Sequence, residues 1–207
     1  AINAANLNRA AELSALLDRG IDPDTVDDNA NTLLILAARE GNLDVVDLLL
    51  KRGARSTLRN RAGDTALMLA VLKGQEAVVD RLLEAGTPVN QSGWSPLLYA
   101  AFEGRDSIAR KLIARGANVD ARAPNQSTAL MLAARNGHKT MVETLLEAGA
   151  DASLVNENGL TAAAWARENN NTDVAEMLER RSAPAAARQP AASTVEPSRR
   201  KLKVLIE

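Results

Sequence analysis

Residues capable of acid–base, nucleophilic or metal chemistry are scarce in this chain. Its 207 residues include a single histidine, His138, and no cysteine, which excludes disulfides, thiolate metal sites and a cysteine nucleophile. A serine–histidine–aspartate site would have to be built on His138 alone, and the spacing of the sequence suggests no partner for it. We therefore expect no catalytic residue, no metal site and no bound cofactor, and we interpret His138 as a structural residue.

A cluster of carboxylates around Pro23 is the other candidate for a metal site. It consists of Asp22, Asp24, Asp27 and Asp28. The cluster lacks the glycine and the terminal glutamate of an EF-hand loop, and the sequence contains no glycine-rich phosphate loop. We interpret these residues as solvated loop charges.

Three of the four aromatic residues of the chain lie within nine residues of one another, at Trp94, Tyr99 and Phe102. Large, rigid side chains that share a surface are natural anchors for a protein partner. The same three rings could instead fill space beside small alanine neighbours. A binding patch and a packing role both remain open at this point.

A repeated segment of about 33 residues must position these side chains. Thr65-Ala-Leu-Met-Leu-Ala recurs as Thr128-Ala-Leu-Met-Leu-Ala, and weaker copies surround both. One threonine or serine marks each copy, at Thr32, Thr65, Ser95, Thr128 and Thr161, with spacings of 33, 30, 33 and 33. A threonine or serine before an apolar run is typical of a helix N-cap, so each marker predicts the start of a helix.

Glycines keep the same register as these markers. One set follows a pair of apolar residues, at Gly20, Gly53, Gly86, Gly116 and Gly149, and a second set follows the first helix, at Gly41, Gly74, Gly104 and Gly137. Glycine at these places predicts helix ends. Apolar pairs such as Val45 and Val46 predict a second helix with one buried face. Each unit therefore predicts a short helix, a tight turn, a longer helix and a polar loop.

These motifs resemble the ankyrin repeat over residues 1–181. The resemblance implies an all-α solenoid of stacked helix-turn-helix pairs with β-hairpin-like loops, in which the end repeats act as caps. The expected repeats cover approximately residues 1–27, 28–60, 61–90, 91–122, 123–155 and 156–181. The histidine position of the family motif is occupied here by Ile35, Met68, Leu98, Met131 and Ala164. Apolar packing must therefore replace the imidazole hydrogen bonds that the family commonly uses.

The resemblance also implies a non-catalytic module that binds a partner protein or peptide in its concave groove. We expect the site to centre on the fourth repeat, which holds the aromatic residues and follows a loop three residues shorter than its siblings. The expected site residues are Arg39, Arg61, Lys73, Trp94, Tyr99, Phe102, Glu103, Arg135 and Asn136. The alternative function is that of an auxiliary or regulatory domain cut from a larger enzyme or transporter.

Charge and hydropathy argue against other partners. Residues 1–181 carry 20 basic and 24 acidic side chains, which disfavours binding to nucleic acid. The longest apolar run has seven residues, which is too short to insert across a membrane. We expect the chain to be a monomer.

The two ends of the chain differ from the repeats. Residues 182–207 form a proline- and alanine-rich linker followed by a basic and apolar end, which could be disordered, add a strand to another protein or carry a localisation signal. The first repeat lacks its threonine position and no initiator methionine is present, so we expect that upstream residues have been removed. The cysteine-free composition resembles that of exported bacterial ankyrin proteins, which favours the bacterial periplasm over the cytoplasm.

Overall fold

The computed structural model describes residues 1–182, which form twelve helices arranged as six consecutive pairs. The first helices of the pairs are α1 (Ile2–Asn6), α3 (Leu33–Glu40), α5 (Ala66–Lys73), α7 (Pro96–Glu103), α9 (Ala129–Arg135) and α11 (Ala162–Glu168). The second helices are α2 (Ala10–Asp18), α4 (Leu43–Lys51), α6 (Glu76–Glu84), α8 (Asp106–Ala114), α10 (Lys139–Glu147) and α12 (Thr172–Ser182). The predicted linker and basic end lie outside the described residues from position 183 onwards.

The first helices from α3 onwards begin at the predicted markers. The Thr32 hydroxyl accepts a hydrogen bond of 3.1 Å from the backbone N–H of Ile35, and the Ser95 hydroxyl accepts one of 3.3 Å from Leu98. Thr65, Thr128 and Thr161 make the same contact. Each cap satisfies a backbone donor that the first helical turn leaves free, so the second to sixth repeats start their first helices at the same point.

The pairs stack in one row, with α1, α3, α5, α7, α9 and α11 packed successively against one another. Each repeat thus buries its apolar side chains against the repeats beside it. Four residues at the histidine position of the family motif lie in this core, each at most 1% exposed: Ile35, Met68, Leu98 and Met131. Apolar packing therefore occupies that position, as the sequence predicts.

The turns within the pairs form one edge of the stack, which we call the turn edge. At this edge, a side chain from the start of four of the second helices, α4, α6, α10 and α12, reaches the backbone carbonyls of the preceding repeat. The residues that do so are Asn42, Gln75, His138 and Asn171. Asn42 Nδ2 donates to Ala5 O over 2.7 Å, and His138 Nε2 lies 3.0 Å from Phe102 O. His138 is therefore a structural residue of the turn edge, as predicted.

The loops between successive pairs form the other edge, which we call the finger edge. The fingers are residues 19–32, 52–65, 85–95, 115–128 and 148–161, numbered first to fifth. In the described part of the chain they contain no regular strand, and one isolated antiparallel bridge joins Val26 and Thr32. Backbone hydrogen bonds join the first finger to the second, from Arg61 N to Asn29 O at 3.0 Å, and the fourth to the fifth, from Glu157 N to Asn125 O at 3.1 Å. The fingers are therefore chains of tight turns that support one another sideways.

Candidate functional site

Trp94, Tyr99 and Phe102 form one cluster where the third finger meets α7. The Trp94 ring stacks on Tyr99 with 5.1 Å between centroids, and it meets Phe102 edge-on at 6.4 Å. Tyr99 and Phe102 lie three residues apart on α7 and therefore share a helix face. Trp94 and Tyr99 are half-buried, whereas Phe102 is 36% exposed. This cluster, the aromatic patch, has an inner side packed against the core and an outer side open to solvent.

A hydrogen bond between repeats anchors the inner side of the patch. The Tyr99 hydroxyl donates to Asp64 Oδ1 over 2.9 Å, and Asp64 is itself buried just before the Thr65 cap. Burial of the phenol, followed by its hydrogen bond to the Asp64 carboxylate, raises the pKa of Tyr99 above its ordinary value of 10.0. The phenol group therefore stays neutral and holds α7 against the preceding repeat.

Contacts from the next repeat fix the Phe102 backbone. Asn136 Nδ2 donates to Phe102 O over 2.8 Å, at the carbonyl that His138 also approaches. Glu103, the next residue, has its carboxylate 4.0 Å from the guanidinium of Arg105. The predicted residues Asn136 and Glu103 therefore lie directly beside the aromatic patch.

Two of the predicted basic residues belong to the repeat before the patch. Lys73 is exposed at the end of α5, and Arg61 is exposed in the second finger. Neither side chain forms an ion pair with another described residue. These two cations are consequently available to a partner.

Arg39 and Arg135, which the sequence also places at the site, contact other residues. The Arg135 guanidinium lies 4.9 Å from the centre of the Trp165 ring, in a cation–π arrangement. The Arg39 Nε pairs with Glu40 over 2.7 Å in the second repeat. The part these two residues play in binding stays a prediction.

Carboxylates of the acidic cluster stabilise the first finger and join it to the second. Asp22 and Asp27 accept backbone hydrogen bonds from residues two to four positions further on, and Asp24 pairs with Arg55 of the second finger over 2.6 Å. Within residues 1–182 no three histidine or carboxylate residues are grouped so that they could hold a metal ion. The same part of the chain contains no helix of the length and apolarity needed to cross a bilayer.

The structure also reveals contacts around the third finger that sequence reasoning missed. Gln91 Nε2 donates to Trp94 O over 3.3 Å and touches the sulfur of Met68. Arg59 of the second finger reaches Ser92 O at 3.4 Å. The short length of the third finger is the sequence signal that could have directed attention to these residues.

Two clefts flank the third finger. One, of about 380 Å³, lies between this finger and Arg115, and the other, of about 230 Å³, lies on the side of the second finger beside Arg59. Thr87, Pro88 and Asn90 line both clefts. The third finger therefore has a cleft on each side, while Asn90 keeps it bonded to the fourth finger.

Comparison with known families agrees with this architecture. A family model described as ankyrin repeats (3 copies) matches residues 55–123 and 97–185, and one described as ankyrin repeats (many copies) matches residues 16–70. The chain belongs to the ankyrin repeat family. Members of this family are in general non-enzymatic modules that mediate protein–protein interactions.

Two bacterial proteins have sequences related to part of this chain. An ankyrin repeat protein of Rickettsia bellii (strain RML369-C) is 29% identical over 117 residues, which cover 52% of this chain and 33% of that protein. An ankyrin repeat-containing protein of Treponema pallidum (strain Nichols) is 31% identical over 124 residues, covering 58% of this chain and 40% of that protein. The chain thus spans about a third to two fifths of the length of these curated relatives.

A solved structure has a similar fold over most of its length. It is a chain of the complex between Bd0816, a predatory endopeptidase of Bdellovibrio bacteriovorus, and the immunity protein Bd3460. The likeness has a TM-score of 0.78 and 31% sequence identity, and it covers 86% of this chain and 96% of that one. The predicted all-α ankyrin solenoid is confirmed.

Proposed function

We propose that this chain binds a partner protein in its concave groove through the aromatic patch and catalyses no reaction itself. The observation that carries the proposal is the contact of three of the four aromatic rings of the chain in one cluster, with Phe102 at its exposed side. Aromatic side chains often dominate the binding energy of protein interfaces. The free cations Arg61 and Lys73 and the carboxylate of Glu103 supply a polar rim.

Phe102 is the residue that favours binding over packing as the role of the patch. Trp94 and Tyr99 pack against the buried core, and Tyr99 also bonds to Asp64. Phe102 meets the Trp94 ring edge-on and is itself 36% exposed. A phenylalanine that stays this exposed beside two other aromatic rings offers apolar surface to a partner.

The test compares Phe102→Ala with Leu7→Ala, which shortens an exposed apolar side chain of the first repeat. Each variant and the wild-type chain are used to capture partners from the native host, and bound protein is quantified alongside thermal unfolding. We expect Phe102→Ala to weaken capture of the partner by roughly thirtyfold, or about 2 kcal/mol, at an unchanged melting temperature. Leu7→Ala should leave capture intact. A large loss of stability in Phe102→Ala with undiminished capture would refute the proposal.

A narrower candidate is that the partner is an endopeptidase. The observation that favours it is the match over 96% of a chain in a complex of a predatory endopeptidase with its immunity protein. We expect an endopeptidase among the proteins captured by the wild-type chain and lost with Phe102→Ala. Its hydrolytic activity should fall on addition of an equimolar amount of this chain. An activity that stays constant at saturating chain concentration would exclude this candidate.

A further inference from the structure

The backbone hydrogen bonds that join neighbouring fingers are interrupted around the third finger. At the finger tips, Arg61 N donates to Asn29 O at 3.0 Å and Glu157 N donates to Asn125 O at 3.1 Å. The residue in the corresponding position of the fourth finger is Pro124, which has no N–H to donate. The tip of the third finger is therefore not tied to the fourth finger in this way.

A second row of hydrogen bonds, at the base of the fingers, is interrupted too. The backbone N–H groups of Arg55, Asn118 and Asp151 each donate to a side-chain oxygen of the preceding finger, at 2.9–3.0 Å. Pro88 occupies the equivalent position in the third finger. The chain has thus lost one donor on each side of this finger.

The third finger itself contains a run of backbone N–H groups that have no hydrogen-bond acceptor in the described part of the chain. Within the described residues, none of the N–H groups of residues 89–94 donates a hydrogen bond. In the second finger, by contrast, the N–H groups of Asn60, Arg61, Gly63 and Asp64 all donate. Backbone N–H groups that have no acceptor within the protein can donate to the carbonyl groups of a bound peptide.

The clefts beside this finger contain a buried polar atom that is also unsatisfied. Thr87 is 6% exposed, and its hydroxyl has no hydrogen-bond partner among the described residues. Buried hydroxyls of this kind are uncommon in folded proteins. Thr87 lines both clefts, and the only charged residues that line either cleft in the described part of the chain are Arg59 and Arg115.

We propose that the third finger pairs with an extended segment of the partner protein that is rich in aspartate and glutamate. Backbone carbonyls of such a segment would accept hydrogen bonds from residues 89–94, and its carboxylates would face Arg59 and Arg115. The proposal rests on the proposed function, because the finger ends at Trp94 of the aromatic patch. It specifies which chemistry the partner brings to that site.

The basic end of this chain is a poorer occupant. Residues 199–203 include Arg199, Arg200, Lys201 and Lys203. These cations have the same sign as the two arginines of the clefts, so their approach is repulsive. Charge complementarity therefore selects an acidic segment from another protein.

The test begins with selection of random short peptides displayed against the full chain. The selected peptides are counter-selected against a graft variant in which residues 54–63 of the second finger replace residues 87–93. This graft restores the length of the finger and places a residue with a backbone N–H at the position of Pro88. It retains Trp94, and it adds basic residues rather than removing them. We expect the enriched peptides to be acidic and to bind the graft at least roughly tenfold more weakly than the wild-type chain.

Two further measurements keep the result independent of the folding of the graft. An enriched acidic peptide should slow amide hydrogen exchange at residues 89–94 by about tenfold or more. The double substitution Arg59→Gln with Arg115→Gln should weaken its binding by roughly tenfold and flatten its salt dependence. Enriched peptides without an acidic bias, or exchange that is unchanged at residues 89–94, would overturn the proposal.

The outcomes separate this inference from the proposed function. In one outcome, Phe102→Ala loses capture of the host partner and the graft captures it undiminished. This result would support the aromatic patch as a site and reject pairing with the third finger. Acidic peptides that pass each test while Phe102→Ala captures the host partner normally would reject the patch and support the finger.

Discussion

The turn edge and the finger edge are made by the same repeats, yet they differ in regularity. At the turn edge, four of the five repeats that follow another repeat reach back to it, through Asn42, Gln75, His138 and Asn171, and Arg105 of the fourth repeat is the exception among the described residues. At the finger edge, the third finger lacks the base contact to the second finger, where Pro88 stands, and the tip contact to the fourth finger, where Pro124 stands, although Asn118 N still donates to Asn90 at its base. One regular edge and a continuous core are enough to keep the repeats in register. The other edge can then vary, and it does so beside the aromatic patch.

The largest expected effect tests the core that both edges share. Leu98 in α7 is fully buried and occupies the histidine position of the family motif. Leu98→Ala should lower the free energy of unfolding by about 2–5 kcal/mol, because it removes apolar contacts and leaves a cavity. Urea denaturation followed by circular dichroism measures this loss.

The matched control for Leu98→Ala is Leu7→Ala, since Leu7 is 59% exposed. The control should change the free energy of unfolding by no more than about 0.5 kcal/mol. Similar losses for the two variants would show that the stack does not depend on a continuous core through the fourth repeat.

A pair of glycine substitutions compares the two edges directly. Gly104 at the end of α7 has φ +68°, and an added Cβ would lie 2.8 Å from His138 Nδ1. Gly93 in the third finger has φ +79° and open space around it. Either alanine would be forced into the left-handed region at a cost of about 1–2 kcal/mol. Only Gly104→Ala must also displace the His138 ring and its contact with Phe102 O.

We therefore expect Gly104→Ala to lower the free energy of unfolding by roughly 2–3 kcal/mol, and Gly93→Ala by about 1 kcal/mol. Urea denaturation of the two variants under the same conditions checks the difference. A larger loss in Gly93→Ala would contradict the conclusion that the turn edge is the more tightly packed of the two.

Much of the architecture could be predicted from sequence because its signals are local. A cap such as Thr32 acts on an N–H three residues away, and apolar spacing along a helix defines its buried face. The shared face of Tyr99 and Phe102 also follows from their short separation on α7. These features require no knowledge of how one repeat sits on the next.

Contacts between repeats were harder to predict. Tyr99 and Asp64 are 35 positions apart, and their hydrogen bond depends on the rotation of one repeat relative to its neighbour. The position of Arg135 over Trp165 depends on the same geometry. The roles of Pro88 and Pro124 could be recognised only after the hydrogen bonds between the other fingers were known.

The smallest expected effect concerns the ionisation of the Tyr99 phenol on the inner side of the patch. Tyr99 is the one tyrosine of the chain, so the ultraviolet absorbance of an ionised phenol reports this residue alone. Burial and the hydrogen bond to Asp64 raise its folded-state pKa above 10.0. The native chain should therefore titrate at higher pH than the urea-unfolded chain, whose phenol should ionise near its ordinary value of about 10.

The sign of the linked stability follows from that raised pKa. The contribution of the Tyr99–Asp64 contact is fully present below the unfolded pKa and is lost as pH rises through the folded pKa. Asp64→Asn removes the negative charge and should lower the native pKa of Tyr99 towards 10.0, while burial keeps it somewhat raised. If the phenol ionises at the same pH in the native and the unfolded chain, the bond to Asp64 is absent in solution. The inner side of the patch would then not be anchored to the preceding repeat. The difference between its anchored and its exposed side would disappear.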